Sequence, residues 1–399
     1  MKKLRVGILF GGRSGEHEVS LLSAASVMEA IDKNKYEVVP IGITKQGRWV
    51  TSLHAENLLK GKLASSGQHL RAGDPQATSS AAVLASGDGI IVPPVPAAGD
   101  LVPFESDAPA NPGSAHRGPE AVQVDVIFPV LHGTFGEDGT IQGLLELADI
   151  AYVGAGVLGS AAGMDKDVMK RLFAQAGLPI VKHLTVMRRE WDAEPKQIRR
   201  EIERKLRYPV FVKPANLGSS VGISKVHSAA ELSAAMDEAA RYDRKIIVEQ
   251  GVGGKKQKAR ELECSVLGND DPQASVVGEI IPGREFYDYE AKYLEEGSEL
   301  LIPARLAKSQ MKSVQAMAVA AFKVTDGAGL ARVDFLMDGQ SKKIYLNEIN
   351  TMPGFTAISM YPKMWAASGL SYPALIDRLI QLGLERQEEK KKNSYSRSQ

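Results

Sequence analysis

Four polar side chains fall on one predicted hairpin, and three of them have oxygen atoms that could hold a metal ion. The stretch VDFLMDGQSKKIYLNEIN reads as two apolar strands joined by a turn at residues 338–340. Side chains alternate between the two faces of a strand, so Arg332 and Asp334 point the same way on the first strand. Glu348 and Asn350 do so on the second strand. A suitable register would put all four side chains on one face of the hairpin.

Two carboxylates and an amide oxygen beside an arginine form a hard, oxygen-rich site. Such a site suits magnesium that bridges the phosphates of a nucleotide. The alternative is the polar outer face of an amphipathic hairpin, which is common in antiparallel sheets. The turn NTMPG, immediately after the metal-type residues, favours the metal site.

A loop rich in glycine and serine gives a second signal. In VKPANLGSSVGISKV, small residues let backbone N–H groups reach a phosphate, and Lys213 adds a positive charge. The loop is not a P-loop, because it lacks GxxxxGK[ST] and leads into a strand. By itself it favours an ordinary hairpin with a flexible tip. Together with the metal-type hairpin downstream it predicts a phosphate site.

Two further lysines and one histidine are candidates. Lys166 opens a predicted helix and could face a phosphate, although most helical lysines are simply solvated. Lys292 lies in EFYDYEAKYLEEG, a segment that could be a lid over an active site or could pack its tyrosines in a core or interface. His132 follows a buried-type strand, where ligands bind in open α/β folds, although most isolated histidines have no catalytic role.

The stretch FGGRSGEHEVS leaves a question open. Gly11 and Gly12 could let the backbone approach a phosphate, or they could place Glu16 and the helix after it against a positive group. The residues alone support both interpretations.

The elements that must position these residues fall into several parts. Alternating strands and helices predict a parallel sheet covered by helices in the first part of the chain. Residues rich in Ala, Ser, Gly and Pro interrupt this pattern and predict a loop-rich surface insertion. The predicted division is an N-terminal domain at 1–163 with its insertion at 62–120, a central subdomain at 164–253, a C-terminal subdomain at 254–385 and a flexible tail at 386–399.

Composition excludes several classes of protein. The chain has 399 residues, which is more than one hydrophobic core usually organises, and 44% are hydrophobic and 24% charged, as in ordinary globular proteins. The net charge of +1 gives no general attraction to nucleic acid. The single Cys264 cannot form a disulfide within the chain, and we expect it in a core. No apolar run predicts a signal peptide or a membrane span, so we expect a cytoplasmic protein without membrane contact.

Seven motifs in a fixed order resemble a known family. They are GGRSGEHEVS, LHGTFGEDG, MDK, VKPANLGSSVG, EFYDYEAKY, ARVDF and NEINTMPGFT. In this order the chain resembles the D-alanine–D-alanine ligases of the ATP-grasp superfamily from Leu4 to about Leu384, except for the insertion, GKKQKA and the tail. The resemblance implies an α/β and α+β fold, with an N-terminal parallel-sheet, Rossmann-like domain followed by a two-part ATP-grasp fold.

The resemblance also implies a role for individual residues. Contacts with ATP would come from Lys166, Lys213, Gly218, Ser219, Ser220, Glu249, Glu261 and Lys292. Ligands of two Mg²⁺ (or Mn²⁺) ions would be Asp334, Glu348 and Asn350. Substrate-binding residues would be Glu16, His132, Ser359 and Met360. Catalysis would involve Glu16, Ser219, Tyr293, Arg332, Gly354 and Lys292, with Arg332 and the Gly354 N–H as an oxyanion site and Tyr293, Ser219 and Glu16 as a hydrogen-bonded trio. In this scheme Gly11 and Gly12 admit substrate, and the nucleotide binds elsewhere.

The implied reaction joins two D-alanine molecules with ATP. A carboxylate is a poor electrophile, so the first D-alanine would take the γ-phosphate and become an acylphosphate, which the amine of the second D-alanine attacks. The product, D-alanyl-D-alanine, would serve peptidoglycan synthesis, and therefore cell wall biogenesis and cell shape. The family is usually dimeric, so we expect a homodimer.

Alternative functions remain at this stage. Ligases that join D-alanine to D-lactate resemble this family but commonly depart from the lid tyrosine, so Tyr293 predicts a preference for an amine. A related ATP-grasp ligase could act on another carboxylate and amine. A dinucleotide-dependent oxidoreductase would need GxGxxG, which GGRSGE lacks. A non-catalytic nucleotide-binding regulator would be expected to lose Lys292, Arg332 or Asn350, and all three are present.

Overall fold

The computed structural model describes eight stretches of the chain, namely residues 2–51, 83–84, 88–96, 99–103, 121–218, 220–254, 257–281 and 299–395. The chain divides into two compact units. The first unit comprises Met1–Val157, Gly354–Pro362 and Leu370–Gln399, and the second comprises Leu158–Pro353 and Lys363–Gly369. The three-part division expected from the sequence stays a prediction.

Strands and helices alternate along most of the chain. The strands are β1 (Leu4–Gly11), β2 (Tyr36–Ile43), β3 (Trp49–Thr51), β4 (Asp88–Ile91), β5 (Asp100–Pro103), β6 (Val122–Gln123), β7 (Val126–Pro129), β8 (Ala151–Tyr152), β9 (His183–Met187), β10 (Val210–Pro214), β11 (Ser224–Val226), β12 (Lys245–Gln250), β13 (Gly253–Gly254), β14 (Gln257–Lys258), β15 (Arg260–Gly268), β16 (Gln273–Ile281), β17 (Glu299–Leu301), β18 (Gly329–Met337) and β19 (Ile344–Asn350). The helices are α1 (His17–Ala30), α2 (Thr140–Leu147), α3 (Val157–Met164), α4 (Lys166–Gln175), α5 (Arg188–Ala193), α6 (Pro195–Lys205), α7 (Ala229–Tyr242), α8 (Lys308–Val324), α9 (Met360–Ala367) and α10 (Tyr372–Lys390).

The first unit contains an eight-stranded sheet with the order β6-β5-β4-β3-β2-β1-β7-β8. Strands β2, β1, β7 and β8 run parallel to one another, and the remaining pairings are antiparallel. Strand β1 is almost wholly buried, which is expected of a parallel strand covered on both faces. Its apolar run VGILF therefore carries no period-two alternation.

Two strands of this sheet lie where the sequence predicted a loop-rich insertion. Strands β4 and β5 add antiparallel pairs beyond β3, and Ile90 and Leu101 are buried. Short strands with only one or two large apolar residues each leave little periodic signal. The rest of the predicted insertion lies mostly outside the described residues.

The second unit contains two larger antiparallel sheets and a small one. Their orders are β11-β10-β12-β9, β17-β16-β15-β18-β19 and β13-β14. Helices α4 and α8 pack on the five-stranded sheet, where Met169, Phe173 and Phe322 join one core cluster. Helix α4 begins where expected because the Asp165 carboxylate accepts hydrogen bonds from the N–H groups of Asp167 and Val168.

The predicted fold class is confirmed by these layers, an α/β sheet in the first unit and antiparallel sheets with helices in the second. Cys264 is fully buried as predicted, and burial raises the pKa of its thiol to about 12. Among the described residues, no helix is both long enough and apolar enough to cross a membrane.

Candidate active site

The predicted hairpin is formed by β18 and β19, and its register brings the four polar side chains together. Arg332 pairs with Asn350, and Asp334 pairs with Glu348. Residues directly opposite in an antiparallel pair lie on the same face. The condition that the sequence left open is therefore met, and all four side chains share one face of the second unit.

Arg332 lies in the middle of a small charged cluster on this face. Its Nε and Nη2 donate to the two carboxylate oxygens of Asp334 at 2.7 Å each. Its Nε also lies 3.1 Å from Oε2 of Glu263, which is opposite Asp334 on β15. The Asn350 Nδ2 donates to Asp334 Oδ2 at 2.9 Å. These contacts fix the plane of the guanidinium group, which a single charge pair would leave loose.

A second cluster is buried deeper and contains two lysines and one glutamate. The Lys213 Nζ lies 2.7 Å from Glu249 Oε2, and the Lys170 Nζ lies 2.9 Å from Glu249 Oε1. Glu249 on β12 pairs with Phe211 on β10, and Phe211 lies two residues before Lys213. Lys170 comes from helix α4, so the cluster joins the helix to the four-stranded sheet.

Burial and charge act in opposite directions on this cluster. Burial by itself raises the pKa of Glu249, but the ammonium groups of Lys170 and Lys213 outweigh it and hold that pKa far below its usual range. Burial lowers the pKa of Lys213, but Glu249 and Glu348 outweigh it and raise that pKa above the ordinary value. Glu249 is therefore an ionised carboxylate, held by two cations in a site with little water.

Lys166 lies between the phosphate loop and the hairpin. It opens α4, its Nζ donates to the backbone oxygen of Leu217 at 2.8 Å, and it lies 3.9 Å from Glu348 Oε2. The start of the helix is anchored because the Lys166 N–H donates to Ala215 O. Lys166 thus lies against the loop that the sequence predicted for phosphate binding, and it reaches toward the metal-type hairpin.

The described part of the phosphate loop has the backbone that its small residues allow. Ser220 and Gly222 have φ of 59° and 69°, and Val221 N–H donates to Gly218 O. A Cβ at Gly222 would lie 2.6 Å from the ring of Tyr242, so only glycine fits there without displacing that side chain. Gly218 and Ser220 are described, whereas Ser219 lies outside the described residues.

The first unit places Glu16 against a glycine. Glu16 is buried just before α1, and a Cβ built on Gly133 would lie 2.6 Å from Glu16 Oε2. Gly133 also has φ of 76°, so a larger residue would be both strained and obstructed. Ser14 ties the two segments together, since its Oγ donates to His132 O at 2.7 Å and accepts from Glu16 N–H at 3.2 Å.

His132 is held by a serine that also contacts a distant part of the chain. His132 is 3% exposed, and its Nε2 lies 3.0 Å from Ser23 Oγ. The same Oγ accepts from the Phe355 N–H at 3.4 Å, which leaves its own O–H able to donate to the imidazole. Ser23 therefore links the candidate substrate histidine to the segment that carries Gly354 and Ser359, all within the first unit.

That segment is a compact turn. The hydroxyl groups of Thr356 and Ser359 lie 2.8 Å apart, and Ser359 Oγ also accepts from Thr356 N–H. Met360, the next residue, is buried at the start of α9. Gly354 is partly exposed two residues before the turn. The turn presents Ser359 as a positioned hydroxyl.

The glycine pair of the opening stretch does two different things. A Cβ on Gly11 would lie 2.2 Å from the backbone oxygen of Ile43, so Gly11 is required by the close approach of two strands. Gly12 has more room, with only Leu131 within 4 Å of a Cβ. A cavity of about 260 Å³ opens beside Gly12 and His132, so space for a small ligand is present at this end of the sheet.

The residues of the hairpin fit a divalent ion. Two carboxylates and one amide group lie on one face, where Asp334 also accepts from Arg332 and Asn350. Mg²⁺ usually binds one or two carboxylates together with substrate phosphates and water. Among the described residues no group of three or more His, Cys, Asp or Glu side chains is arranged to hold a metal. With two carboxylates and one amide oxygen, the set Asp334, Glu348 and Asn350 suits an ion that also binds substrate phosphates and water.

Not every predicted residue falls within the described chain. Ser219, Lys292 and Tyr293 lie outside the described residues, and so does all of the proposed lid segment EFYDYEAKYLEEG. Glu261 is described on β15 and contributes to the electrostatic field at Lys213. The structure thus brings the remaining nucleotide and metal candidates into one connected group in the second unit, and Glu16, His132 and Ser359 into the first.

Sequence reasoning missed three residues of these networks. Lys170 lies four positions after Lys166, so the helical spacing places both lysines on one face of α4. Glu263 lies two positions after Glu261 on β15, so strand alternation places both carboxylates on one face. Ser23 had no such signal, because its partners His132 and Phe355 are far away in the sequence.

Comparisons with known proteins identify the family of the chain. Residues 5–155 match the family model described as D-ala D-ala ligase N-terminus, and residues 172–381 match D-ala D-ala ligase C-terminus. The D-alanine–D-alanine ligase of Heliobacterium modesticaldum is 49% identical over 100% of this chain and 99% of its own length. That of Bacillus cytotoxicus is 46% identical over 99% of this chain and 100% of its own.

Solved structures give the same result. The D-alanine-D-alanine ligase from Coxiella burnetii has a TM-score of 0.77 and 35% identity, and the match covers 98% of this chain and 97% of that one. The VanG D-Ala:D-Ser ligase from Enterococcus faecalis has a TM-score of 0.78 and 35% identity, with coverage of 96% and 100%. The two solved neighbours share a fold but differ in the second amino acid that their names give.

Proposed function

The chain belongs to the D-alanine–D-alanine ligase family, and we propose on that basis that it joins two D-alanine molecules into D-alanyl-D-alanine with consumption of ATP. The observation that carries the proposal is the shared face of Arg332, Asp334, Glu348 and Asn350, which lies beside the lysine cluster. The product would enter peptidoglycan precursor synthesis, and thereby cell wall biogenesis and cell shape.

The second unit is proposed to bind the nucleotide. Lys166 and Lys213 would contact the phosphates, the loop at 218–222 would fold over them, and Glu249 and Glu261 would lie toward the adenine and ribose. Two buried ammonium groups close to a backbone loop are a strong attraction for a polyphosphate in a site with little water. Lys292 is assigned to the γ-phosphate on sequence grounds alone.

The hairpin is proposed to hold two Mg²⁺ or Mn²⁺ ions through Asp334, Glu348 and Asn350. Such ions, when bound, would neutralise negative charge on the nucleotide phosphates and would make the γ-phosphoryl group easier to transfer. Arg332 is held by Asp334 and Glu263 in a fixed plane. It is proposed to stabilise the negative charge of the tetrahedral intermediate that forms when the second amine attacks.

The first unit is proposed to bind the first D-alanine. Glu16 would accept the substrate ammonium group, and His132 would lie beside its carboxylate, oriented by Ser23. Gly133 gives Glu16 the room that its carboxylate occupies. Ser359 and Met360 are proposed to contact the second substrate, and Gly354 to offer its N–H to the intermediate.

The reaction then follows from the charges of the substrates. The carboxylate of the first D-alanine attacks the γ-phosphorus, ADP leaves, and a D-alanyl phosphate forms. The neutral amine of the second D-alanine attacks the acyl carbon, and phosphate leaves from the tetrahedral intermediate. Water would hydrolyse the acylphosphate, and the trio Tyr293, Ser219 and Glu16 is proposed to keep it out.

Product analysis tests the proposal directly. ADP release would be measured with magnesium, ATP and D-alanine, L-alanine, or D-alanine mixed with D-serine or D-lactate, and product masses would be recorded. Release that requires D-alanine and gives its dipeptide is the expected result. A dominant D-alanyl-D-serine or D-alanyl-D-lactate product would show that the protein is a ligase that prefers a different second substrate. No ADP release with any of these substrates would indicate that the enzyme acts on another carboxylate or amine.

Three further features are proposed from the family. We propose that the protein is a homodimer, that it works in the cytoplasm, and that Mn²⁺ can replace Mg²⁺. Light scattering at several protein concentrations tests the first, since a constant monomer mass would contradict it. Titration of each metal into metal-free protein tests the last.

A further inference from the structure

Lys170 carries a buried charge for which the reaction described above has no use. It lies on helix α4 with 1% of its surface exposed. Its Nζ is 2.9 Å from Glu249 Oε1 and donates to the backbone oxygen of Asn347 at 3.1 Å. A lysine is rarely buried to this degree without a partner, and here both partners belong to segments that carry proposed site residues.

The charges around Lys170 add to a definite sum. Glu249 is shared by the ammonium groups of Lys170 and Lys213, so this cluster holds two positive charges and one negative charge. Without Lys170, Glu249 and Lys213 would form a neutral pair. Glu348 and Glu261 act on Lys213 as further negative charges. Without Lys170, the negative charges around Lys213 would therefore outweigh its positive charge.

The contacts of Lys170 also restrict where the side chains of Glu249 and Lys213 can lie. Glu249 is one residue from the end of β12, and Lys213 is one residue from the end of β10. A carboxylate with a single cation partner can rotate, whereas one held at both oxygens cannot rotate without breaking a contact. Lys170 therefore restrains the group that holds Lys213 in place.

Burial opposes the charge on Lys170, whereas the contact with the Glu249 carboxylate favours it. Burial lowers the pKa of Lys170, and the Glu249 carboxylate opposes this effect, while Lys213 adds to it. Placing two cations on one carboxylate costs free energy through desolvation and repulsion, and an incoming polyphosphate would relieve the repulsion. An arrangement that is costly in the free protein and relieved by an anion is what a prepared anion site requires.

We propose that Lys170 is a positioning residue for the nucleotide. Because Lys170 shares Glu249 with Lys213, the cluster keeps a net positive charge beneath the phosphates of the nucleotide. This inference rests on the ATP-binding role proposed above. It predicts that the effect of Lys170 depends on the number of phosphates in the ligand. A purely structural lysine would affect every nucleoside ligand alike.

Calorimetric binding of ADP and of adenosine to the full chain tests the proposal. Lys170→Met keeps the length of the side chain and removes its charge. We expect the dissociation constant of ADP to rise about tenfold and that of adenosine to change less than about twofold, because one buried charge at short range acts mainly on the phosphates. Lys390→Met is the control. Lys390 also pairs with a carboxylate, that of Glu146, but Lys390 lies on helix α10 in the first unit.

A second pair of variants separates charge from stability. Lys170→Met combined with Glu249→Gln restores one net positive charge, so the ratio of adenosine to ADP dissociation constants should return toward the wild-type ratio. Glu249→Gln alone leaves two positive charges and should give the largest ratio. If Lys170→Met does not fold, the comparison of Glu249→Gln with the double variant still changes one charge, and the ratio must fall.

The outcomes are distinct. Equal weakening of ADP and adenosine by Lys170→Met, or no weakening of ADP, would overturn the role of Lys170 while the wild-type protein still bound ADP. A wild-type protein that binds neither ADP nor ATP would instead remove the proposed function, and the role of Lys170 with it. A selective loss for ADP that the double variant reverses would establish the role.

Discussion

The two compact units hold their candidate functional groups by different forces. In the first unit, Ser14 and Ser23 orient the His132 segment with neutral hydrogen bonds, and the turn before Met360 is closed by two hydroxyl groups. In the second unit, Lys213 and Glu249 are ions that hold one another. A bidentate arginine and carboxylate pair occupies the neighbouring face.

This difference corresponds to the ligands proposed for each unit. An amino acid is a small zwitterion, so its site needs a defined shape and a few directed contacts. ATP brings a large negative charge with its metal ions, so its site needs cations whose charges are held ready. Glu249 pairs with Lys170 and Lys213 in the structure, and a nucleotide bound as proposed would compete with it for those cations. We therefore expect the neutral hydrogen bonds that position Glu16 and His132 to govern amino-acid affinity. The ionic contacts of the second unit should govern nucleotide binding and turnover.

Replacement of Arg332 should have the largest effect. Arg332→Met removes the fixed cation proposed for the tetrahedral intermediate, so kcat should fall about 10²- to 10³-fold. Steady-state ADP release at saturating substrates measures this. Arg378→Met is the control, because Arg378 forms an exposed pair with Glu385 and should leave kcat unchanged. A loss smaller than about tenfold would show that the ionic face is not the site of the chemistry.

Weakening of the proposed metal ligands should come next. Glu348→Gln removes one charged oxygen donor, so the Mg²⁺ concentration for half-maximal turnover should rise at least about tenfold. The Michaelis constant for D-alanine should not follow it, since Glu16, His132 and Ser359, which are proposed to bind D-alanine, lie in the first unit and Glu348 in the second. Removal of divalent ions with a chelator should stop turnover, and added Mg²⁺ or Mn²⁺ should restore it. Undiminished turnover in chelator would rule out the metal role of the hairpin.

Ser23 offers the corresponding test in the first unit. Ser23→Ala deletes the hydroxyl between His132 and Phe355, which leaves two buried polar groups without that partner, so we expect the Michaelis constant for D-alanine to rise about tenfold. The Michaelis constant for ATP should stay the same, and the effect should not depend on salt concentration. Leu22→Ala, on the same helix but exposed, is the control. An equal rise in the Michaelis constant for ATP would contradict the proposed difference between the two units.

The smallest expected effect concerns stability and pH at helix α10. Burial by itself raises the pKa of Glu146, but its contacts with Lys390 and Tyr152 outweigh it and lower that pKa below the ordinary 4.5. A lowered folded-state pKa stabilises the fold above the unfolded value, and this contribution is lost as the pH falls through the folded-state value. Lys390→Met should therefore lower the melting temperature at pH 7.

The size of this effect is limited because the pair is partly exposed, and about 1 kcal/mol or less is expected. The difference in melting temperature between wild type and Lys390→Met should shrink at pH values below 4.5, the ordinary pKa of the carboxyl. A difference that persists unchanged in acid would mean that Lys390 stabilises the helix by packing its aliphatic stem rather than by its charge.

The sequence predicted the hairpin well because strand alternation is a local property. Arg332, Asp334, Glu348 and Asn350 could be grouped from spacing alone, and the register supplied only the last step. The fold class was predicted for the same reason, since alternating strands and helices are visible along the chain.

What the sequence did not predict depends on contacts between distant segments. Ser23 meets Phe355 across more than three hundred residues, and Glu263 meets Arg332 through the pairing of β15 with β18. Lys170 was overlooked because a helical lysine is usually solvated, and only the burial of α4 against the sheet shows otherwise. Strands β4 and β5 were missed because each is short and lies in a stretch of loop-like composition.

Helix α10 belongs to the first unit, although it comes from the far end of the described chain. Gly383 packs so closely on β8 that a Cβ would lie 2.8 Å from Tyr152 O. Arg386 lies over the ring of Tyr152 and donates to Gly154 O. During synthesis on the ribosome, the first 157 residues therefore emerge long before the helix that completes their unit. The second unit can fold first, and a truncation before residue 370 should damage the earliest-made part of the protein rather than the last.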